Sequence, residues 1–231
     1  KEEEELVRDQ NIAIREFAPH NTLYFGGLKY AVQYVSKETD PNNVISTAVC
    51  PDCEHIELLS NSSPFPTNCP NCGTVWESNR PIAALKFPRM RGERRTRITA
   101  DEEERLKGGY KIINSYKPTS KAVVKEIKMN GKHICKLAFE RSAQMRHLNM
   151  GQMADYSEQR IGFNLDPVNF KWVQFSKLDE HCKEKNLSKG QMRTNVSLLT
   201  ESKNDVIVLQ LTEPFVGDEE IFAKTLLNAF I

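Results

Sequence analysis

Long apolar runs are missing from this chain of 231 residues. Nothing in it approaches the roughly twenty consecutive apolar residues that a membrane-spanning helix needs. The first ten residues, KEEEELVRDQ, lack the apolar centre of a signal peptide and a starting Met. No membrane partner is expected, and the expected compartment is the cytoplasm. The chain reads as a segment of something longer, since EEIFAKTLLNAFI at its end stops in a helical pattern without a cap. A dominant charge is also missing. Lys and Arg number 32 against 31 Asp and Glu, so the net charge is +1. That excludes a uniformly basic nucleic-acid coat and an acidic tail, and any electrostatic function must come from local clustering. No G-x-x-x-x-G-K-[ST] phosphate loop occurs, so the chain is not expected to hydrolyse ATP by itself. Internal repeats and low-complexity tracts are absent. Cysteine is scarce, at six residues, which does not suit a disulfide framework and favours a reducing compartment.

What is present begins with the place where four of those cysteines fall. Residues 50–76 read CPDCEHIELLSNSSPFPTNCPNCGTVW, two Cys-x-x-Cys pairs around a polar loop. Two such turns supply four thiolates to a tetrahedral zinc, and the linker length is in the usual zinc range. Gly73 suits the bend that follows the second pair. The expected ligands are Cys50, Cys53, Cys69 and Cys72. Four bare thiols in a polar loop would be reactive, and a thioredoxin-like redox pair would need a βαβ context that is missing. His55 is a possible substitute ligand, but four sulfurs already close the shell. A closed shell leaves no position for water or substrate, so one structural Zn2+ is expected and no catalytic residue is assigned.

Hydrophobic residues make up 39% of the chain and charged residues 27%, which suits a globular body. NIAIREFAP reads as a short strand ending at Pro19. NTLYFGGLKYAVQYV reads as a hairpin around Gly26-Gly27, and KAVVKEIKMNGKHICKLAF as a second around Asn130-Gly131, with a bulge near Lys125. NNVISTAVC leads a strand into the first cysteine pair. TADEEERLKGG reads as a capped short helix. Further strands are expected in QRIGFNLDP, FKWVQFS, TNVSLLTES and, separately, DVIVLQLTE, where Asp205 reads as a strand-start residue. Residues 217–231 read as an amphipathic helix with Ile221, Phe222, Leu226 and Phe230 on one face. The fold class is α+β: a β-rich domain with an inserted four-cysteine zinc ribbon and a few short helices. The segments are 1–47 (strand and hairpin), 48–78 (ribbon) and 79–231 (β-rich body), together one composite domain.

Several stretches stand in a familiar order: AIREFAPHNTLYFGGLKYAV, the two cysteine pairs, RITADEEERLKGGYKI, HLNMG, GFNLDP, NDVIVLQL and KTLLNAF. This order resembles the C-terminal zinc-binding region of a group of DEAD/DEAH-type superfamily-two helicases, which includes the mitomycin-repair helicase. It also resembles the helicase-partner accessory protein of the DISARM anti-phage system. The resemblance spans about Ile12 to Phe230. It implies that Cys50, Cys53, Cys69 and Cys72 are the zinc ligands, that no second zinc is bound, and that helicase motor domains or a motor subunit are the partner. His20 stands where the family has glycine, which puts a turn of positive φ there in doubt. The implied function is a helicase-associated domain in antiviral defence or DNA repair, with defence favoured.

One further feature bears on DNA binding. KFPRMRGERRTR carries Lys86, Arg89, Arg91, Arg94, Arg95 and Arg97 against Glu93 alone. Clustered guanidinium groups suit a phosphate backbone, although Asp101–Glu104 can equally neutralise them within the fold. Phe87 and Met90 are expected to anchor this segment in the core, and Trp76 and Trp172 to pack rather than stack bases. His133, His147 and His181 are read as ordinary histidines, and LDEHC at Leu178–Cys182 as a polar helix or loop. No small-molecule substrate is expected. Two other readings stand beside the helicase one: a zinc-ribbon interaction scaffold that never touches nucleic acid, and a hydrolase with an unrecognised site.

Overall fold

The computed structural model describes residues 5–60, 65–76, 80–97, 109–117, 122–153 and 161–211, and positions 221, 224, 225 and 228. It is β-rich with short helices, as the α+β reading requires. In chain order the elements are α1 (Gln10–Glu16), β1 (Thr22–Phe25), β2 (Leu28–Val35), β3 (Val44–Val49), β4 (Ile56–Leu59), β5 (Ile82–Lys86) and β6 (Met90–Arg97). They continue as β7 (Tyr110–Lys117), β8 (Val123–Met129), β9 (Lys132–Met153), β10 (Phe163–Asp166), β11 (Lys171–Val173), α2 (Leu178–Glu184) and β12 (Arg193–Leu211). The chain divides into two compact units. One is Lys1–Tyr116 with Met145–Ser202, and the other is Lys117–Gln144 with Lys203–Ile231.

In the larger unit the strand order is β1-β2-β11-β10-β12-β5-β3-β4, with β6 also paired to β2. The pairing of β12 with β5 is parallel, setting Leu198 beside Leu85. The hairpin around Gly26-Gly27 forms as expected, with Phe25 opposite Leu28. The first expected strand is instead the helix α1. Asp9 caps it by accepting the Asn11 amide at 2.9 Å, and the helix buries Ala13 and Ile14. The turn after it survives the missing glycine, since His20 adopts φ 70°.

The main core gathers Ile14, Val35, Leu85, Phe163, Trp172 and Leu198, with Phe87 and Met90 packed against it. Phe163 meets Tyr110 and Trp172 edge-on, at 5.1 and 5.9 Å between ring centres. HLNMG and GFNLDP meet in space. Asn149 donates to Ile14 O at 2.9 Å, and the Gly162 amide donates to Met150 O at 2.6 Å. A Cβ on Gly162 would lie 2.2 Å from the Asn195 carbonyl carbon, so only glycine fits between these backbones.

In the smaller unit β8 and β9 form the expected hairpin over Asn130-Gly131, both at positive φ. The register shifts between Ile127 and Lys128, two residues beyond the bulge expected at Lys125. Asp205 lies inside β12, not at a strand start, and accepts the Ser142 amide at 3.1 Å. The two strands expected at TNVSLLTES and DVIVLQLTE are one strand, β12, burying Val196–Thr200 and then emerging. Ile221, Lys224, Thr225 and Asn228 are helical. Phe222, Leu226 and Phe230 of the expected apolar face lie outside the described residues, as does the helix expected at TADEEERLK. No helix among the described residues is long and apolar enough to cross a membrane.

Candidate metal centre and basic strand

The ribbon grows from the antiparallel pair β3–β4, where Val49 faces Ile56. Each cysteine pair is a tight turn closed by the same two bonds. In the first, the Glu54 amide donates to Cys50 O and the Cys50 amide to His55 O. In the second, the Gly73 amide donates to Cys69 O and the Cys69 amide to Thr74 O. The residue after each pair is left-handed, Gly73 at φ 80° and Glu54 at φ 56°. The turns oppose each other, and the four sulfurs lie within 4.8 Å of one another. Cys50 Sγ is 3.5 Å from Cys72 Sγ, and Cys53 Sγ is 3.7 Å from Cys69 Sγ. Those gaps are far too long for disulfides. They match the roughly 3.8 Å edge of a tetrahedron with metal–sulfur bonds of about 2.3 Å.

The electrostatics suit a bound dication. Burial pushes the Cys50 thiol up, but the Cys53 and Asp52 amides, the nearby Trp76 indole and Cys72 outweigh it and bring it down to about 6. Thr74, 3.2 Å from Cys72 Sγ, lowers that thiol. Burial raises Cys53, and it pushes Cys69 up to about 12. Four sulfurs this close cannot all ionise unaided, because each thiolate repels the next. A metal cation removes that conflict. Donors are also in place: the Asn71 amide reaches Cys69 Sγ at 3.4 Å and its side chain reaches Cys53 Sγ at 3.5 Å. Trp76 Nε1 is buried without a good hydrogen-bond partner, and it packs with Cys50 and Cys69, where an anionic sulfur would satisfy it. The residues therefore fit a metal ion, with Cys50, Cys53, Cys69 and Cys72 as its ligands.

His55 is not a ligand. Its Nε2 is 3.1 Å from Glu57 Oε2 and its Nδ1 is 3.4 Å from Ser115 Oγ. Sequence spacing does not reveal this network, because Ser115 lies 60 positions from His55. It has the bond order of a nucleophile–base–acid relay. However, Ser115 Oγ is buried and already accepts the Ile56 amide at 3.1 Å, and it lines neither a cleft between β2, β6, β11 and α2 nor a smaller one beside Gln10 and Phe87. Buried Arg146 extends the network, donating to Ile56 O at 2.7 Å and pairing with Glu201 at 3.2 Å. The network fastens the base of the ribbon to β7 and β9.

The basic run is split between β5, the following loop and β6. Lys86 pairs with Glu201 at 3.7 Å. Arg89 reaches Glu5 at 3.3 Å and Glu38 at 3.7 Å. Arg95 pairs with Glu93 at 3.6 Å. Arg91 and Arg94 are exposed, opposite Tyr34 and Tyr30 of β2, and have no ion pair among the described residues. Arg97 ends β6 opposite Leu28. Asp101–Glu104, the acids expected to neutralise the run, lie outside the described residues.

His133, His147 and His181 each meet a polar partner, although His147 Nε2 is buried without one. His133 meets Glu126 at 3.0 Å, His147 meets Asn114 at 2.7 Å, and His181 meets Asp166 at 2.8 Å. LDEHC is helical, within α2, and buries Leu178, His181 and Cys182 on its inner face. Trp172 lies in the core and Trp76 packs in the ribbon against Phe65. No family model, curated protein or solved structure matches this chain.

Proposed function

We propose that this chain is a zinc-stabilised accessory domain of a DNA helicase or translocase, serving anti-phage defence or DNA repair. One structural Zn2+ sits on Cys50, Cys53, Cys69 and Cys72. ATP hydrolysis belongs to motor domains elsewhere, in cis or in a partner subunit, and this domain contacts the motor and lies along DNA. The observation that carries the nucleic-acid part is β6: Arg91 and Arg94 are exposed and lack acidic partners among the described residues. An exposed guanidinium group can meet phosphate oxygens in a bidentate manner. The order of short motifs along the chain supports the helicase part.

Salt-titrated binding to duplex and single-stranded DNA tests this. Affinity should fall steeply with salt and be indifferent to sequence, because phosphate contacts release counterions and do not specify bases. Absence of binding at low salt would end the nucleic-acid reading. The interaction-scaffold reading would then stand, and one observation favours it: Val123, Val124, Ile127, Phe139 and Ile207 of the smaller unit are all exposed.

A further inference from the structure

A cleft of about 500 Å³ opens in the larger unit between β2, β6, β11 and α2. Its volume is in the range of small-ligand sites. Three cations line it from three separate places: Arg95 on β6, Lys171 on β11 and Lys177 just before α2. Glu180 and Glu184, one helical turn apart on α2, also line it. Neither lysine nor either glutamate is in an ion pair among the described residues. Lys171 instead lies 5.9 Å from the centre of the Tyr34 ring. Carboxylates and cations that share a cleft without neutralising each other suit a ligand with both anionic and hydrogen-donating parts.

Two features show that the cleft is built rather than incidental. The first is His20, which lines it at φ 70°. A glycine would occupy that backbone more readily, and the surrounding fold holds the imidazole there, with the His20 amide on Val32 O at 2.8 Å. Burial lowers this imidazole to about 4. At neutral pH it therefore offers one donor and one acceptor. The second is Asp166, fully buried behind the cleft wall. It accepts the Val168 and Asn169 amides, the Asn169 side chain and His181 Nε2. These bonds lock the turn that presents Phe170, itself at φ 55°, and Lys171. They also fix α2 through His181, so both walls are preorganised.

We propose that this cleft binds one nucleotide unit. Arg95, Lys171 and Lys177 meet its phosphate, while His20, Glu180 and Glu184 meet amino and hydroxyl groups of its base and sugar. The unit can belong to a nucleic-acid strand or to a free mononucleotide, since the recognised chemistry is the same. In its strand form the proposal rests on the nucleic-acid reading above.

The test uses the full chain and two probes, a labelled single strand of about twelve nucleotides and deoxyadenosine monophosphate. Lys171→Glu/Lys177→Glu should weaken both about tenfold or more, and for the strand should lower the salt slope by about 1.4 units. Lys177→Gln changes only an exposed side chain, and should weaken both in the same direction without moving the melting temperature. Unchanged affinities for both probes, or no binding of either to the wild type, would overturn the proposal. Strand binding that survives the cleft variants but is lost in Arg91→Ala/Arg94→Ala overturns the cleft and leaves the DNA reading standing. Mononucleotide binding lost in the cleft variants, with no strand binding by the wild type, does the reverse. His20→Gly should keep or raise the melting temperature and weaken mononucleotide binding. A lowered melting temperature with full affinity would remove His20 from the site.

Discussion

The ribbon has a core of Ala48, Cys50, Cys69 and Trp76 with three partly buried neighbours, whereas the β-rich body of the same unit packs nine buried residues together, Phe163 and Trp172 among them. Two of the ribbon's four core residues are the cysteines themselves. A cluster that small buries too little apolar surface to offset the entropy of ordering its loop. Metal ligation by the four cysteines would supply the difference, because binding energy at a site absent from the unfolded chain is folding energy. The body needs no such help, since Leu85, Leu165, Trp172 and Leu198 are almost wholly excluded from water. One unit thus combines a segment suited to ordering by a metal with a segment ordered by burial, and the two should fail separately.

The largest expected effect follows from removing the metal. Purified protein should contain about one zinc per chain, and zinc-finger-like sites contribute about 10 kcal/mol or more to local order. Chelation, or Cys69→Ser/Cys72→Ser, should raise hydrogen exchange across residues 48–78 while the core strands of the body stay protected. Exchange rising uniformly over the chain would erase the distinction between the two regions. The converse break is Leu198→Ala in the body. It should cost about 2–5 kcal/mol by denaturant unfolding and leave the zinc content unchanged.

A smaller effect belongs to Asp166. Burial pushes its carboxyl up, but Asn169, His181 and the backbone amides more than offset that, so it lies below the ordinary 3.8. A folded value below the unfolded one stabilises at pH above the unfolded value, and the contribution is lost as pH falls through the lowered value. Asp166→Asn should therefore cost about 1–3 kcal/mol at neutral pH, with the gap to wild type narrowing below the ordinary 3.8. A gap independent of pH would contradict this. The smallest effect sharpens the comparison inside the ribbon. Glu54 and Gly73 occupy the same place in the two cysteine turns, and only Glu54 carries a Cβ at φ 56°. Glu54→Gly should relieve that strain and stabilise the zinc-loaded ribbon by up to about 1 kcal/mol, read as slower zinc release to a chelator.

The metal centre was legible because its chemistry is local: each cysteine pair makes its own turn, and spacing alone reveals four sulfurs. The hairpins at Gly26-Gly27 and Asn130-Gly131 were legible for the same reason. Helix α1 was not, because the short apolar run Ile12–Ile14 bounded by Pro19 reads equally as a buried strand. The competing signal was Asp9 as a cap. Strand β12 looked like two strands because the polar run Glu201–Asp205 interrupts its apolar pattern, which marks where burial ends and not where the strand ends. The positive φ at His20 was placed in doubt by its side chain, yet the surrounding bonds, with the His20 amide on Val32 O at 2.8 Å, hold it. The cleft beside it was invisible, since its walls come from residues 20, 31–33, 95 and 171–184 and meet only after folding.

Contact between β6 and DNA is tested by the salt dependence of duplex binding by Arg91→Ala/Arg94→Ala. Both side chains are exposed and without acidic partners among the described residues, so the melting temperature should not move. The slope of log affinity against log salt should become shallower by about 1.8 units, equally for unrelated sequences. An unchanged slope, with or without a lowered melting temperature, would contradict the claim and leave the interaction scaffold as the reading to pursue.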